Sequence, residues 1–489
     1  MSCLLGGCLL QYAAPAGDGD VAMHIYRFPA ACYCDGPQSG YLDNHNISPE
    51  LVLSDEFGIL WKNTYGEKER WFARPLTFTP KGHDQLVLLA STANVVRTVD
   101  ATTGKLIHYY GIIGTPAIDP KSEIAYFFSM GYQGRANSGG VGKGEPLLGG
   151  RFPLEINNSL LTSQTRDLGT YSLYAVDLHT LEDVEGFPVL IDGHYADNDP
   201  TRYFLGGTYL QRPAVSIVNG HVIGAFAGHC ELFNYTGMVV SVSTTPGVGV
   251  ASMFAVVARM GGIWHGGMGI STIGNNVFIV SGNGDGADNV DQPAAGDVPI
   301  STLSQAVVHF EITKRGKISF SKDIGSSGFT ILDRDVFSGG GVGQIGLTGG
   351  KEGKLYVLDV DNLGGFMNGP NGRDDAVQII QAEGALFGGV GSYPLEGGYV
   401  YFTPLGSRTA AYKLEPLDDG TPNFALAGYS TKNATSATGI GPPTVTTLRG
   451  KRGTGIVWVA DLAAGLRAFK AVPNDAGSWR SWLYRKPDP

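Results

Sequence analysis

Charge is scarce in this chain: Asp, Glu, Lys and Arg make up 16% of its 489 residues, and acids outnumber bases by 45 to 35. A net charge of −10 leaves no excess of cations for a phosphate backbone, which excludes a nucleic-acid-binding surface of the usual basic kind. Cysteine is scarcer still. Cys3, Cys8, Cys32, Cys34 and Cys230 do not make a disulfide framework, and Cys32 with Cys34 lacks the further ligands of a zinc site. One bridge from that pair to Cys230, or none, fits equally. No apolar run approaches the roughly 18 residues of a membrane-spanning helix. Long stretches of 3.6-residue periodicity are missing too, which argues against a helical solenoid. Neither HExxH, a P-loop nor a Ser-His-Asp arrangement occurs, and GGGVG at Gly339 leads into a strand rather than a helix, so it is no dinucleotide fingerprint.

What the chain has is glycine, 72 residues of it, and repetition. A Val/Ile-rich run, a strand ending in an acid and a Gly turn into another strand recur from Ala73, Thr115, Arg212, Gly267, Gln344, Tyr393 and Pro442. Self-similarity of this kind marks one supersecondary unit stacked on copies of itself. Each copy holds four short β-branched or aromatic runs. In one of them Val277, Ile279 and Ser281 share a face while Phe278 and Val280 share the other, and both faces are largely apolar, as in a strand covered on both sides. Four-stranded antiparallel sheets with two greasy faces bury them best in a radial ring. The expectation is an all-β propeller of seven full repeats.

Ahead of the first copy, Phe57 to Tyr65 reads as a lone strand, and the chain stops at Trp482–Pro489 without a further copy. An incomplete eighth blade is therefore expected. Residues 1–50 lack the repeat and read as a leader or strap, with 51–489 as a single propeller domain. The first residues are compatible with a signal peptide, though they lack a basic n-region, and equally with a frayed start. Asn-x-Ser/Thr sequons at Asn46, Asn157, Asn234 and Asn433 favour an extracellular, secreted glycoprotein.

Chemistry-bearing residues gather in loops. Asn283, Asp285, Asp288 and Asp291 fall in one Gly-rich stretch whose oxygens suit either Ca²⁺ or solvent. Trp264 and His265 open the fourth copy, where a first strand would line the channel, as a stacking platform and a base, or else as packing and a backbone hydrogen bond. Asp333 and Asp335, around Arg334, read as the opening of the fifth copy at the matching place, to orient a ligand or to close their own turn. Arg74 and Arg212 recur in ARP and QRP, with Trp71 and Tyr209 upstream, and Tyr393 opens the sixth copy. The expected ring is therefore catalytic Asp333, Asp335 and His265, with Arg74, Arg212, Trp264 and Tyr393 holding the ligand. His221 and His229 share a face but stand about 27 Å apart along a strand, too far to share a metal. Long loops at Gly131–Gly169, Ile191–Tyr209 and Gly282–Pro299 are the expected binding surface.

VVRTVDATTGKLIHYY and GKLYVLDVDNLGG resemble the strand-acid-turn-Gly-Lys-strand core of the quinoprotein alcohol dehydrogenase-like propellers with PQQ-type repeats. QRPAVSIVNGHVIGAFAGHCE, GGIWHGGMG and GSYPLEGGYVYFTP resemble secreted fungal and bacterial members of that group. The resemblance covers about residues 50–475. It implies eight blades and, in the enzymes, an axial quinone with Ca²⁺, a stacked Trp and a catalytic Asp, imitated here only by Trp264 and by Asp333 or Asp335. The adjacent cysteines of some members are absent. Three functions follow as expectations: a binding module for a glycan, small-molecule or protein ligand; a PQQ- and Ca²⁺-dependent dehydrogenase of alcohols or sugars; and a lyase-type carbohydrate-active enzyme.

Overall fold

The computed structural model describes residues 20–23, 36–64, 75–132, 169–282, 284 and 303–485, apart from short interruptions (55–56, 59, 92–94, 111–114, 181, 229–234, 266–267, 304, 324–327, 365–368, 371–374, 435–440, 462–464, 475–477 and 480–482). It is an all-β, seven-bladed propeller. Each blade is an antiparallel sheet whose first strand is innermost. Blade 1 spans Leu76–Tyr110, blade 2 Ala117–Leu190, blade 3 Tyr209–Ala255 and blade 4 Gly262–Asp323. Blade 5 spans Thr330–Gln381, blade 6 Gly391–Asn433 and blade 7 Thr444–Arg485.

The alternation read from the sequence decides how blades meet. Val277 and Ile279 pack with Val218, Ile223 and Val239 of blade 3. Phe278 and Val280, on the other face of the same strand, pack with Phe329 and Leu358 of blade 5. Comparable clusters join blades 1 and 2, 2 and 3, 5 and 6, and 6 and 7. Apolar burial at roughly 25 cal/mol per Å² is what holds the wedges together.

The two chain ends fasten the ring differently from a simple repeat. Past the third strand of blade 7, Ser478–Trp479 joins blade 6 as a fifth strand, parallel to Phe424–Asn433, and Leu483–Arg485 then completes blade 7. Trp479 is buried between Tyr401 and Phe469. The terminal stretch thus supplies strands that its sequence did not advertise. At the other end, Tyr41–His45 lies parallel to Thr444–Leu448 on the inner edge of blade 7. Farther on, Phe57 stacks on Trp458 of blade 7, and Trp61 is buried against Val87, Leu89 and Val99 of blade 1, its Nε1 donating to Ala101 O. The lone strand appears as Trp61–Thr64, paired with Asp20–Met23 as a separate two-stranded sheet.

Every inner strand runs the same way along the axis, from an entry end to an exit end. The entry end carries the blade-to-blade connections and the second-to-third-strand loops, hence the roots of the long insertions of blades 2 and 4. First-to-second-strand turns lie at the exit end.

Candidate functional site

The inner strands of blades 3 and 4 are each broken in two: Tyr209–Gln211 then Ser216–Val218, and Gly262–Ile263 then Ser271–Ile273. Arg212 sits in the first break and the Trp264–His265 pair in the second. Ala214 and Gly269 form a parallel bridge, so the breaks stand side by side. Arg212 is half-buried, and that burial lowers the pKa of its guanidinium. Trp264 packs against the core shared by blades 2 and 3, and its Nε1 is buried beside Gly262 without a hydrogen-bond partner among the described residues. Its ring is therefore part of blade packing rather than a platform across the channel.

His265 is 2% exposed, in a left-handed backbone conformation (φ +46°). Its Nδ1 bonds Gly269 O at 3.0 Å and its Nε2 accepts the amide of Val280 at 2.8 Å. The imidazole is thereby the neutral Nδ1–H tautomer, and burial pushes its pKa down to about 4. Both ring nitrogens are spent on backbone, which leaves no lone pair to take a proton from a substrate. The backbone-bonding alternative for this residue is the one the geometry favours.

Asp333 and Asp335 do not open the fifth copy. The inner strand of blade 5 is Thr330–Ile331, so Asp333 follows it and stands in the turn at the exit end. The strand is two residues long, too short to show a pattern, which is why the turn looked like an entry. Asp333 Oδ1 accepts the Asp335 amide at 3.0 Å, an Asx turn, and both residues are exposed. Between Trp264 and these carboxylates lies most of an inner strand. Its paired span, six residue steps along Asn276–Gly282, is about 20 Å. The described members of the expected ring are split between the two ends of the channel.

Tyr393 is fully buried; its hydroxyl donates to Glu396 at 2.5 Å, and Tyr41 meets it edge-on at 6.0 Å. Burial, with the Glu396 contact adding to it, raises its pKa. Arg74 and the acidic set Asn283, Asp285, Asp288 and Asp291 lie outside the described residues, as do Cys3, Cys8, Cys32, Cys34 and Cys230. Among the described residues no group of three His, Cys, Asp or Glu is arranged to hold a metal ion.

The inner wall of the ring carries the feature that sequence reasoning missed. Residues 36–40, Gly-Pro-Gln-Ser-Gly, cross the inner strands of four blades in succession. Gly36 O accepts from Thr272 N of blade 4 at 2.7 Å, and Pro37 O from Ile331 N of blade 5 at 2.9 Å. Ser39 O accepts from Ser392 N of blade 6 at 2.9 Å, and Gly40 O from Val445 N of blade 7 at 2.7 Å. Gln38 Oε1 accepts the Gly269 amide. Glycine is required where the segment threads between strands: a Cβ on Gly40, at φ +67°, would stand 2.9 Å from Gly391 Cα, and one on Gly36 2.5 Å from Thr272 Oγ1. The strap continues as Tyr41–His45 toward the exit mouth. Burial is the main cause of the raised pKa of Tyr41, and the charges of Asp43 and Asp333 add to it.

A row of hydroxyls supports the same level. Ser216 Oγ donates to Ile270 O, Ser271 Oγ to Phe329 O, Thr330 Oγ1 to Val390 O and Ser392 Oγ to Ser39 O. Each blade's hydroxyl is stapled to the next inner strand, and the last to the strap. The signal was in the sequence, as a Ser or Thr at one register of blades 3 to 6.

No protein-family model matches the chain, and no curated protein matches it in sequence. Solved structures do. A quinohemoprotein alcohol dehydrogenase from Comamonas testosteroni superposes with a TM-score of 0.53 at 12% identity, over 92% of this chain and 72% of that one. The quinohemoprotein alcohol dehydrogenase ADHIIG of Pseudomonas putida HK5 gives 0.51 at 12% identity, over 92% and 71%. BamB from Moraxella catarrhalis matches more loosely, with a TM-score of 0.43 at 8% identity over 84% and 88%. Identities this low speak for architecture alone. The chain has the PQQ-like β-propeller fold and is structurally similar to the quinohemoprotein alcohol dehydrogenases.

Proposed function

We propose that this protein is a secreted binding module, a propeller that holds a glycan or protein ligand on its entry end without transforming it. The carrying observation is the strap: residues 36–40 run along the inner strands of blades 4 to 7 and accept one inward amide from each. A quinone on the axis does not fit these residues. Trp264 is packed into the core of blades 2 and 3, Asp333 and Asp335 are exposed in a turn at the exit end, and the chain's own backbone lines the inner strands of blades 4 to 7. Such a site supports no dehydrogenase step. With both nitrogens of His265 engaged, a lyase-type base at that position is unsupported as well.

Binding surfaces belong on loops held by a rigid frame, and the entry end carries the long ones. The exposed Asn433, in an Asn-Ala-Thr sequon, supports secretion. The same reading takes residues 51–489 as one propeller domain and residues 1–50 as leader and strap. It also takes the sheet of Asp20–Met23 and Trp61–Thr64 as the remnant of an eighth wedge, supported by Phe57 facing blade 7 and Trp61 facing blade 1.

The test is turnover. Full-length protein supplied with PQQ and Ca²⁺ is followed by dye reduction across an alcohol and aldose panel, and by unsaturated-uronate absorbance with polyuronates. The proposal expects neither signal, alongside saturable ligand binding; PQQ-dependent dye reduction or lyase product would overturn it.

A further inference from the structure

We infer that Tyr195 and Tyr203 form a platform for a neutral saccharide chain, which rests on the binding-module reading and gives it a site. Residues 193–204 make a small hairpin between blades 2 and 3. Gly193 N donates to Phe204 O, Phe204 N to His194 O and Ala196 N to Arg202 O, all at 2.8–2.9 Å. Tyr195 and Tyr203 are directly paired across it. Alternation then sends Ala196 and Phe204 into the core, 2% and 0% exposed, and the two tyrosines outward, 62% and 49% exposed. Their ring centroids are 5.8 Å apart. Every other large apolar side chain exposed to this degree among the described residues is aliphatic. The two exposed aromatics among the described residues therefore coincide.

The hairpin is held rigidly. The Asp192 carboxylate accepts the amides of Tyr171 and Gly206 at 2.5 and 2.6 Å. Asn198 pairs its side-chain amide with Ala255 in both directions, at 2.8 and 2.9 Å, as a strand would. Asp197 accepts the Ser252 hydroxyl at 2.6 Å. A backbone held in place before binding loses little freedom on contact, which favours even a small ligand.

Size and charge select the ligand. Two tyrosines offer a few hundred Å² at most, well short of the roughly 1,000 Å² that a stable protein interface needs. A sugar ring, by contrast, covers one aromatic face with its C–H surface and reaches the phenol with its hydroxyls. The hairpin has no lysine, and its single arginine, Arg202, lies 3.7 Å from the Asp199 carboxylate. Its one histidine, His194, is paired with Phe204 and by alternation lies on the face opposite the tyrosines, away from a ligand stacked on them.

Affinity electrophoresis through gels containing laminarin, galactomannan, xylan or hydroxyethyl cellulose, with polygalacturonate as the anionic control, tests the assignment. The intact protein is expected to be retarded by at least one neutral polysaccharide. Tyr195→Ala/Tyr203→Ala should weaken that retention about tenfold with an unchanged melting temperature, and Tyr195→Phe/Tyr203→Phe should keep most of it. Undiminished retention of the double-alanine variant would overturn the site. Retention by polygalacturonate alone, or by no polysaccharide, would overturn the ligand class. Neither result touches the binding-module reading, which the turnover assay decides separately.

Discussion

His265 shows how a residue with catalytic potential is absorbed by structure. Its two backbone hydrogen bonds span the break in the inner strand of blade 4. Removing both should cost about 2–4 kcal/mol, since each leaves a buried group unsatisfied; a urea titration of His265→Ala checks this. The pH dependence follows from the same burial. His265 and His45 are both held near pKa 4, below the ordinary 6.5. Between those values the unfolded chain binds protons that the fold does not, so stability is complete above about pH 6.5 and is lost as pH falls toward 4. Each histidine contributes on the order of 3 kcal/mol at most. Asp192, raised to about 6 by burial, acts in the opposite sense between about pH 4 and 6, because there the folded form retains the proton. Calorimetry from pH 7.5 to 4.5 should show a net fall in melting temperature, with a shallower slope in His265→Ala. The hydroxyl row is a milder case. Ser216→Ala and Ser271→Ala should each cost about 1 kcal/mol, additively if the staples act independently.

At the scale of elements, the blades were legible and their fastenings were not. Period-2 patterning exposed the two faces of Asn276–Gly282, because burial on both sides demands apolar residues of both parities. The strap escaped notice because its bonds run from backbone carbonyls, which leave no side-chain pattern; only its two glycines hint at the crowding. The terminal clasp is similarly quiet, two short strands anchored by Trp479. Blades 6 and 7 are also tied by charge. Arg467, 4% exposed, lies 3.3 Å from the buried Asp461 and donates to the carbonyls of Lys432 and Asn433 on the outer strand of blade 6. Arg467→Ala would take the guanidinium away from the buried Asp461 carboxylate and from two carbonyls, and should cost about 3–5 kcal/mol. Trp479→Ala should cost a similar amount through the cavity it leaves. Thermal unfolding with fluorescence detection reads both.

For the whole molecule, the ring and the site diverge in how much the residues disclose. Repetition specifies the propeller, since every copy must seal the next. Among the described members of the expected site, Trp264 and His265 lie toward the entry end while Asp333 follows a two-residue inner strand to the exit mouth, because repetition gives a residue's blade and not the end of the strand it occupies. The central element is the strap, residues 36–40 held against the inner strands of blades 4 to 7. Hydrogen–deuterium exchange on the full-length protein tests this most directly, read at peptides covering Thr272, Ile331, Ser392 and Val445 and at the strap itself. The account predicts that these inward amides exchange as slowly as the blade cores. Exchange within seconds, at the rate of an unpaired loop, would mean that the strap does not hold these amides and would contradict it.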